Sequence, residues 1–218
     1  MDTKKIRFVA NRPWLNEQSF SRPGPIAKTI PERYKNPVSK ACPAVFGLMG
    51  TGYTYKTPCD IEFVEDKTGT VHARVLDAGH PNFLVDREPL HQFLVPDGYH
   101  AEHFAWWADW AVELPEGYSA LYTHPLNRFD LPFITTSGIV DNDKDHLPGT
   151  MPFFFLKGVT GILRAGTPYA QIIPFKREHW QSEVNASLTR EEMEAEHQAN
   201  SAELRQPDGG VDLSEAWK

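Results

Sequence analysis

The chain has no apolar run approaching the roughly 20 residues that span a bilayer, so no segment reads as a membrane helix. Cysteine is scarce. Cys42 and Cys59 are the only two in 218 residues, and so few in a chain of this length read as free, buried small hydrophobes and not as a disulfide framework. That expectation goes with a reducing, cytoplasmic setting. Met1-Asp-Thr-Lys-Lys5 runs into a short strand and not into the apolar core of a signal peptide. A basic stripe is also missing. The net charge is −7; residues 183–218 hold nine acids against three bases, which leaves −1 for residues 1–182. So neutral a body has no surface for a phosphate backbone, which excludes sequence-independent nucleic-acid binding. Ser119 and Ser137 have no Gly-x-Ser-x-Gly elbow around them. Neither cysteine stands in a catalytic context.

Proline, by contrast, is abundant. Seventeen of the eighteen prolines punctuate nearly every segment up to Pro174, so long helices are not expected there. What the chain offers instead is strand pattern. Ile6–Ala10, Thr51–Thr57, Asp60–Glu65, Thr70–Leu76, Phe104–Leu114, Tyr118–Tyr122, 130–140, 150–156 and 169–175 all read as strands bounded by turn residues. Asp66-Lys-Thr-Gly69 between two of them is a hairpin signal. The expected fold is mainly β, an antiparallel barrel or a jelly-roll-like sandwich, with a helix on the surface near the C-terminus.

Three regions follow from composition. Residues 1–38 form an extension with one strand and prolines at 13, 23, 25, 31 and 37, anchored by Trp14, Phe20, Ile26 and Ile30. Residues 39–182 form the β-rich domain, with a short helix expected at 40–49 before Gly50 and Gly52. Residues 183–218 form an acidic helix and tail. Thr189 and Glu192 have capping-box spacing at the start of that helix, expected over about 189–204.

The loop richest in reactive groups is Asp141-Asn-Asp-Lys-Asp-His146, between strand-like runs. A carboxylate on a rigid strand end can serve as a base for water; Asp is also an ordinary turn-former at strand ends. The stretch Gly138-Ile-Val-Asp-Asn-Asp143, followed by Gly166-Thr-Pro-Tyr-Ala-Gln171, resembles two neighbouring motifs of the deoxyuridine triphosphatase and deoxycytidine triphosphate deaminase superfamily. The likeness covers residues 117–176. It implies a trimeric β-domain that binds a nucleotide or similar small anionic ligand. Asp141 would then bind the sugar or activate water, and Gln171 would contact phosphate, with Asp143, Ser119 and Lys144 beside them. Three departures stand out. Lys144 replaces the motif's aromatic residue, Tyr118-Ser119 lacks the arginine of the phosphate-binding Arg-Ser pair, and an acidic helix replaces the Gly-rich C-terminal arm. The wider pattern, from Lys40-Ala-Cys-Pro43 to Ile173-Pro-Phe-Lys-Arg-Glu178, resembles a family of tailed-phage proteins, which supplies no activity to carry over and places the chain in a host cytoplasm.

Two other function classes stay open. Asp143 and His146 with His100, His103 or His124 form the residue types of a two-histidine, one-carboxylate iron site, although the His-x-Asp spacing of β-barrel oxygenases is absent. No metal ligand and no cofactor is assigned. The Pro-rich segment and the acidic helix also suit a non-enzymatic viral interaction protein. Phe104, Trp106, Trp107 and Trp110 have no basic residues interleaved, so core or interface packing is the expected role, not base stacking. Lys176 and Arg177 read as solvated.

Overall fold

A computed structural model describes residues 4–10, 24–25, 48, 51–80, 82–87, 94–145, 149–184 and 189–203. Most of the Pro-rich segment, nearly all of the helix expected at 40–49, Cys42, His146 and the acidic tail lie outside these described residues. Contacts divide the chain into one unit of Met1–Ile26 with Thr51–Arg177, and another of Ala27–Gly50 with Glu178–Lys218.

The first unit is all β. In chain order its strands are β1 (Arg7–Ala10), β2 (Gly24–Pro25), β3 (Tyr53–Lys56), β4 (Ile61–Glu65), β5 (Val71–Val75), β6 (Leu84–Arg87) and β7 (Tyr99–Trp107). There follow β8 (Trp110–Glu113), β9 (Tyr118–Thr123), β10 (Phe133–Thr135), β11 (Gly138–Val140), β12 (Thr150–Leu156), β13 (Gly161–Leu163) and β14 (Pro168–Lys176). They pair antiparallel in four sheets, ordered β1-β8, β10-β12-β7-β6, β11-β9-β14-β3-β2 and β13-β4-β5. The protein is mainly β, as its period-2 runs and turn residues require.

Three local choices explain the arrangement. The β4–β5 hairpin closes where expected: Gly69 takes φ +84°, and Asp66 accepts hydrogen bonds from the Thr68 and Thr70 N–H groups. The aromatic stretch at 104–114 is two strands and not one. β7 ends at Trp107, and the chain turns through the buried Ala108 and Asp109 into β8, which pairs with β1. The run at 130–140 is likewise broken at Thr136–Ser137, so β10 joins β12 while β11 joins β9.

The core between the sheets is dominated by rings. Trp106 and Phe153 stack at 3.6 Å and 6°, Phe63 stacks on Phe155 at 4.6 Å, and Tyr169 lies 5.1 Å from Trp106. Phe104 and Trp106 therefore serve packing; Trp107 is 38% exposed. A buried indole needs an acceptor: Trp106 Nε1 donates to Thr135 Oγ1 at 3.0 Å, and that hydroxyl donates to the Tyr169 carbonyl at 2.7 Å. Cys59 is buried and free, its thiol pushed up to about 12 mainly by burial.

In the second unit, α1 (Arg190–Glu203) begins at the expected capping box. Glu192 Oε2 accepts from the Thr189 N–H at 2.8 Å, and Thr189 Oγ1 accepts from the Glu192 N–H at 3.3 Å. Among the described residues, no helix is long and apolar enough to cross a membrane.

Candidate ligand site at the Asp141 corner

The turn at 141–145 is made by backbone: the N–H groups of Lys144 and Asp145 both donate to the Asp141 carbonyl at 2.9 Å. Asn142 ties it down. It is 2% exposed, donates from Nδ2 to the Asp145 carbonyl at 3.2 Å, and accepts at Oδ1 from the Tyr122 hydroxyl at 3.2 Å. The two flanking aspartates are thus released from capping their own turn, and their carboxylates reach other parts of the chain.

Asp143 points inward, its side chain 2% exposed, and accepts the Gly117 N–H at 2.8 Å. Asp141 is 47% exposed and accepts the hydroxyl proton of the fully buried Ser119 at 2.6 Å. Between them lies Arg177. Antiparallel pairing of β14 with β9 sets Phe175 opposite Ser119 and Lys176 opposite Tyr118. The next residue, Arg177, donates its N–H to the Gly117 carbonyl at 2.8 Å and turns its side chain over Ser119. Its Nη1 donates to the Tyr118 carbonyl at 3.0 Å, to Ser119 Oγ at 2.9 Å and to Asp143 Oδ1 at 2.9 Å. Nη2 donates to Asp143 Oδ2, completing a forked pair. Asp141 Oδ1 lies 3.1 Å from Nη1.

These contacts keep every member charged. Asp143 is lowered to about 2, first by the Arg177 hydrogen bonds and then by the Gly117 N–H. Asp141 is lowered by the Ser119 hydroxyl above all, and by the charges of Arg177 and Lys144. Arg177 is raised, chiefly by Asp143. Lys144 is exposed beside the two carboxylates.

Of the residues expected at the site, Asp141, Asp143, Ser119 and Lys144 come together. Gln171 does not. It pairs with Thr123, four residues along β14 from Phe175, which at ~3.3 Å per residue is about 13 Å from Ser119. Its side chain is 1% exposed and already occupied. Oε1 accepts the Leu126 N–H at 2.9 Å, and Nε2 donates to the Thr51 carbonyl at 2.6 Å. Arg177, expected to be solvated, is the residue that sequence reasoning missed. The signal available for it was its place in the strand, directly after the segment that pairs with Tyr118–Ser119.

Among the described residues, the histidines of the expected metal site and His80 have separate partners. His80 Nδ1 is 3.1 Å from Asp77, His100 Nε2 is 3.2 Å from Glu65, and His103 packs on Phe154 at 5.3 Å between ring centroids. His124 Nδ1 accepts the Thr135 N–H at 3.3 Å, and Nε2 lies 3.2 Å from the Arg128 carbonyl. Among the described residues, no group of three or more His, Cys, Asp or Glu side chains is arranged to hold a metal ion.

No family model and no curated protein matches the chain. Among solved structures it is similar to the dUTPase of S. aureus phage phi11. A point mutant of that enzyme, described for its coordination of a structural Mg(II) ion, aligns over 87% of this chain and 99% of that one, at 12% identity and a TM-score of 0.37. A second phi11 dUTPase structure, which shows a species-specific insert, aligns over 49% of this chain and 100% of that one, at 17% identity and a TM-score of 0.27. Scores this low give no residue-by-residue correspondence.

Proposed function

We propose that the chain is a dUTPase-like β-domain that binds a nucleotide or similar small anionic ligand at the Asp141 corner. One observation carries the reading. A half-exposed carboxylate is held in a fixed orientation by a buried hydroxyl and by a guanidinium that is itself anchored on a buried carboxylate. A turn needs no such support, since its own backbone hydrogen bonds close it. A ligand contact does, because recognition depends on groups that are already in place before binding. Asp141 is lowered, above all by the Ser119 hydroxyl, so it stands in the corner as a charged acceptor.

Asp141→Asn keeps the shape and removes the charge. Equilibrium binding with a panel of deoxynucleotides should show a loss of about tenfold or more with little change in melting temperature. A variant that melts early but binds as the parent does would sink this reading.

The non-enzymatic interaction protein is the second reading. It is favoured by Phe129, 90% exposed on a loop whose Asn127 has φ 59° and whose flanking Arg128 and Asp130 are joined by two hydrogen bonds. Assembly as a homotrimer belongs to the first reading, and light scattering of the full chain tests it: a monomer would remove the trimer.

A further inference from the structure

We infer that His124 is a proton-operated latch on the loop 125–130: neutral, it fixes the segment that presents Phe129, and protonated, it releases that segment. The latch is independent of the Asp141 corner. β9 ends at Thr123, and His124 opens the connection to β10. β10 is an edge strand of its sheet, so alternate N–H groups along it face away from β12. The Thr136 N–H faces inward, to the Pro152 carbonyl at 2.8 Å; the Thr135 N–H faces outward and donates to His124 Nδ1 at 3.3 Å. On its other side the same ring meets the Arg128 carbonyl, 3.2 Å from Nε2. One protonation state satisfies both contacts. Nδ1 must be bare to accept from an N–H, and Nε2 must carry hydrogen to donate to a carbonyl, which is the neutral imidazole in its Nε2–H form. A further proton goes to Nδ1 and points at the Thr135 N–H. That contact then turns repulsive, and the ring cannot hold strand and loop together.

The tip of the loop depends on this hold. Phe129 is 90% exposed and buries no ring to anchor it, and Asn127 stands at φ 59°, a conformation uncommon for a residue other than glycine. The tie from the Leu126 N–H to Gln171 Oε1 lies before the tip, whereas His124 grips the carbonyl next to Phe129 itself. Burial holds the His124 pKa below the usual imidazole value; the Arg128 charge adds to this, and the Arg128 carbonyl and Asp130 oppose it. Arg128 and Asp130, paired with one another, are the charged groups that act on the ring among the described residues; the Phe133 ring, edge-on at 5.7 Å, brings no charge. A histidine released to water titrates at about 6.5. The closed loop thus binds the proton more weakly than the open one. Closure is undiminished above about pH 6.5 and is lost as pH falls toward the lower, folded value, the open fraction rising up to about tenfold for each pH unit between the two.

The test is an NMR titration of the isotope-labelled full chain from about pH 8 down to about pH 4.5. Long-range correlations within the imidazole should show His124 as the Nε2–H tautomer at the start, and as titrating below about 6.5. In the same step the Thr135 amide should shift and, once corrected for the intrinsic effect of pH on exchange, should exchange about tenfold faster, together with Arg128 and Phe129. The Trp107 N–H, bonded to the Phe83 carbonyl at 2.9 Å in the same sheet, should keep its protection. His124→Asn keeps an acceptor near Thr135 and takes up no proton, so its step should vanish while those of the other histidines remain. An Nδ1–H tautomer, a titration at or above the usual imidazole value, or a Thr135 amide indifferent to pH overturns the inference. Release of Thr135 only together with Trp107 overturns it too, since that is unfolding of the whole sheet, and so does a step that survives in His124→Asn. Should that variant fail to fold, the titration of the parent decides by itself.

Discussion

Replacing Gln171 separates a structural amide from a ligand-binding one. The side chain is 1% exposed and joins three segments: β14, which carries it, the Leu126 N–H and the Thr51 carbonyl. Gln171→Leu is close in volume but removes both partners. A buried backbone group left unsatisfied costs about 1–3 kcal/mol; two such groups, partly offset by the added apolar surface, give a net loss of about 2–4 kcal/mol. For a chain of this size, each kcal/mol lowers the melting temperature by about 2–4 °C, so a fall of about 5–15 °C is expected. Gln171→Glu adds a signature in pH. A carboxylate still accepts from Leu126, but its second oxygen faces the Thr51 oxygen, and burial raises its folded pKa above the unfolded value of about 4.3. A raised acid pKa leaves stability intact below the unfolded value and removes it as pH rises toward the folded one. The Glu variant should thus approach the parent at pH 4 and fall away by pH 7. Thermal unfolding by circular dichroism across that range is the assay. A Leu variant that melts within about 1 °C of the parent, yet loses nucleotide affinity, would refute the reasoning and return Gln171 to the ligand.

Two further outcomes follow from the same geometry. Asp143 is depressed to about 2 in the fold, so its contribution is present above the unfolded value of about 3.9 and is lost as pH falls through the folded one. Acid melting of the parent should steepen between about pH 4 and 2, and Asp143→Asn should flatten that part of the profile; an unchanged profile would remove the pair from the stability of the fold. Gly52→Ala should be among the most damaging single-methyl additions. Gly52 has φ +78°, and its Cβ would stand 2.3 Å from the Ile172 carbonyl oxygen, a backbone atom that cannot step aside. Loss of the cooperative melt, or of soluble protein, is expected. A variant with the parent's melting curve would show that the Gly52 turn is not held as described.

How far the sequence was legible depends on how local each signal is. Strand pattern is local, and the β4–β5 hairpin, β9, β12 and β14 all lie where alternation and turn residues place them. Aromatic runs carry no register, so nothing in Phe104–Leu114 marks the turn at Ala108–Asp109 that sends β8 to pair with β1. β6 and β13, at four and three residues, are too short for periodicity to register. The site divides along the same line. Asp141, Asp143 and Lys144 share one turn, and the sequence displays them together. Arg177 is 34 residues from Asp143 and 58 from Ser119, and reaches both only because β14 runs antiparallel to β9. The same pairing sets Gln171 opposite Thr123, at the far end of β9 from Ser119. Order and spacing along the chain therefore bring the aspartates together and do not show their partners: Arg177 reaches Ser119 only in space, while Gln171 is engaged by Leu126 and Thr51. An arginine entering from β14 thereby arrives beside two aspartates of the turn and pairs with both.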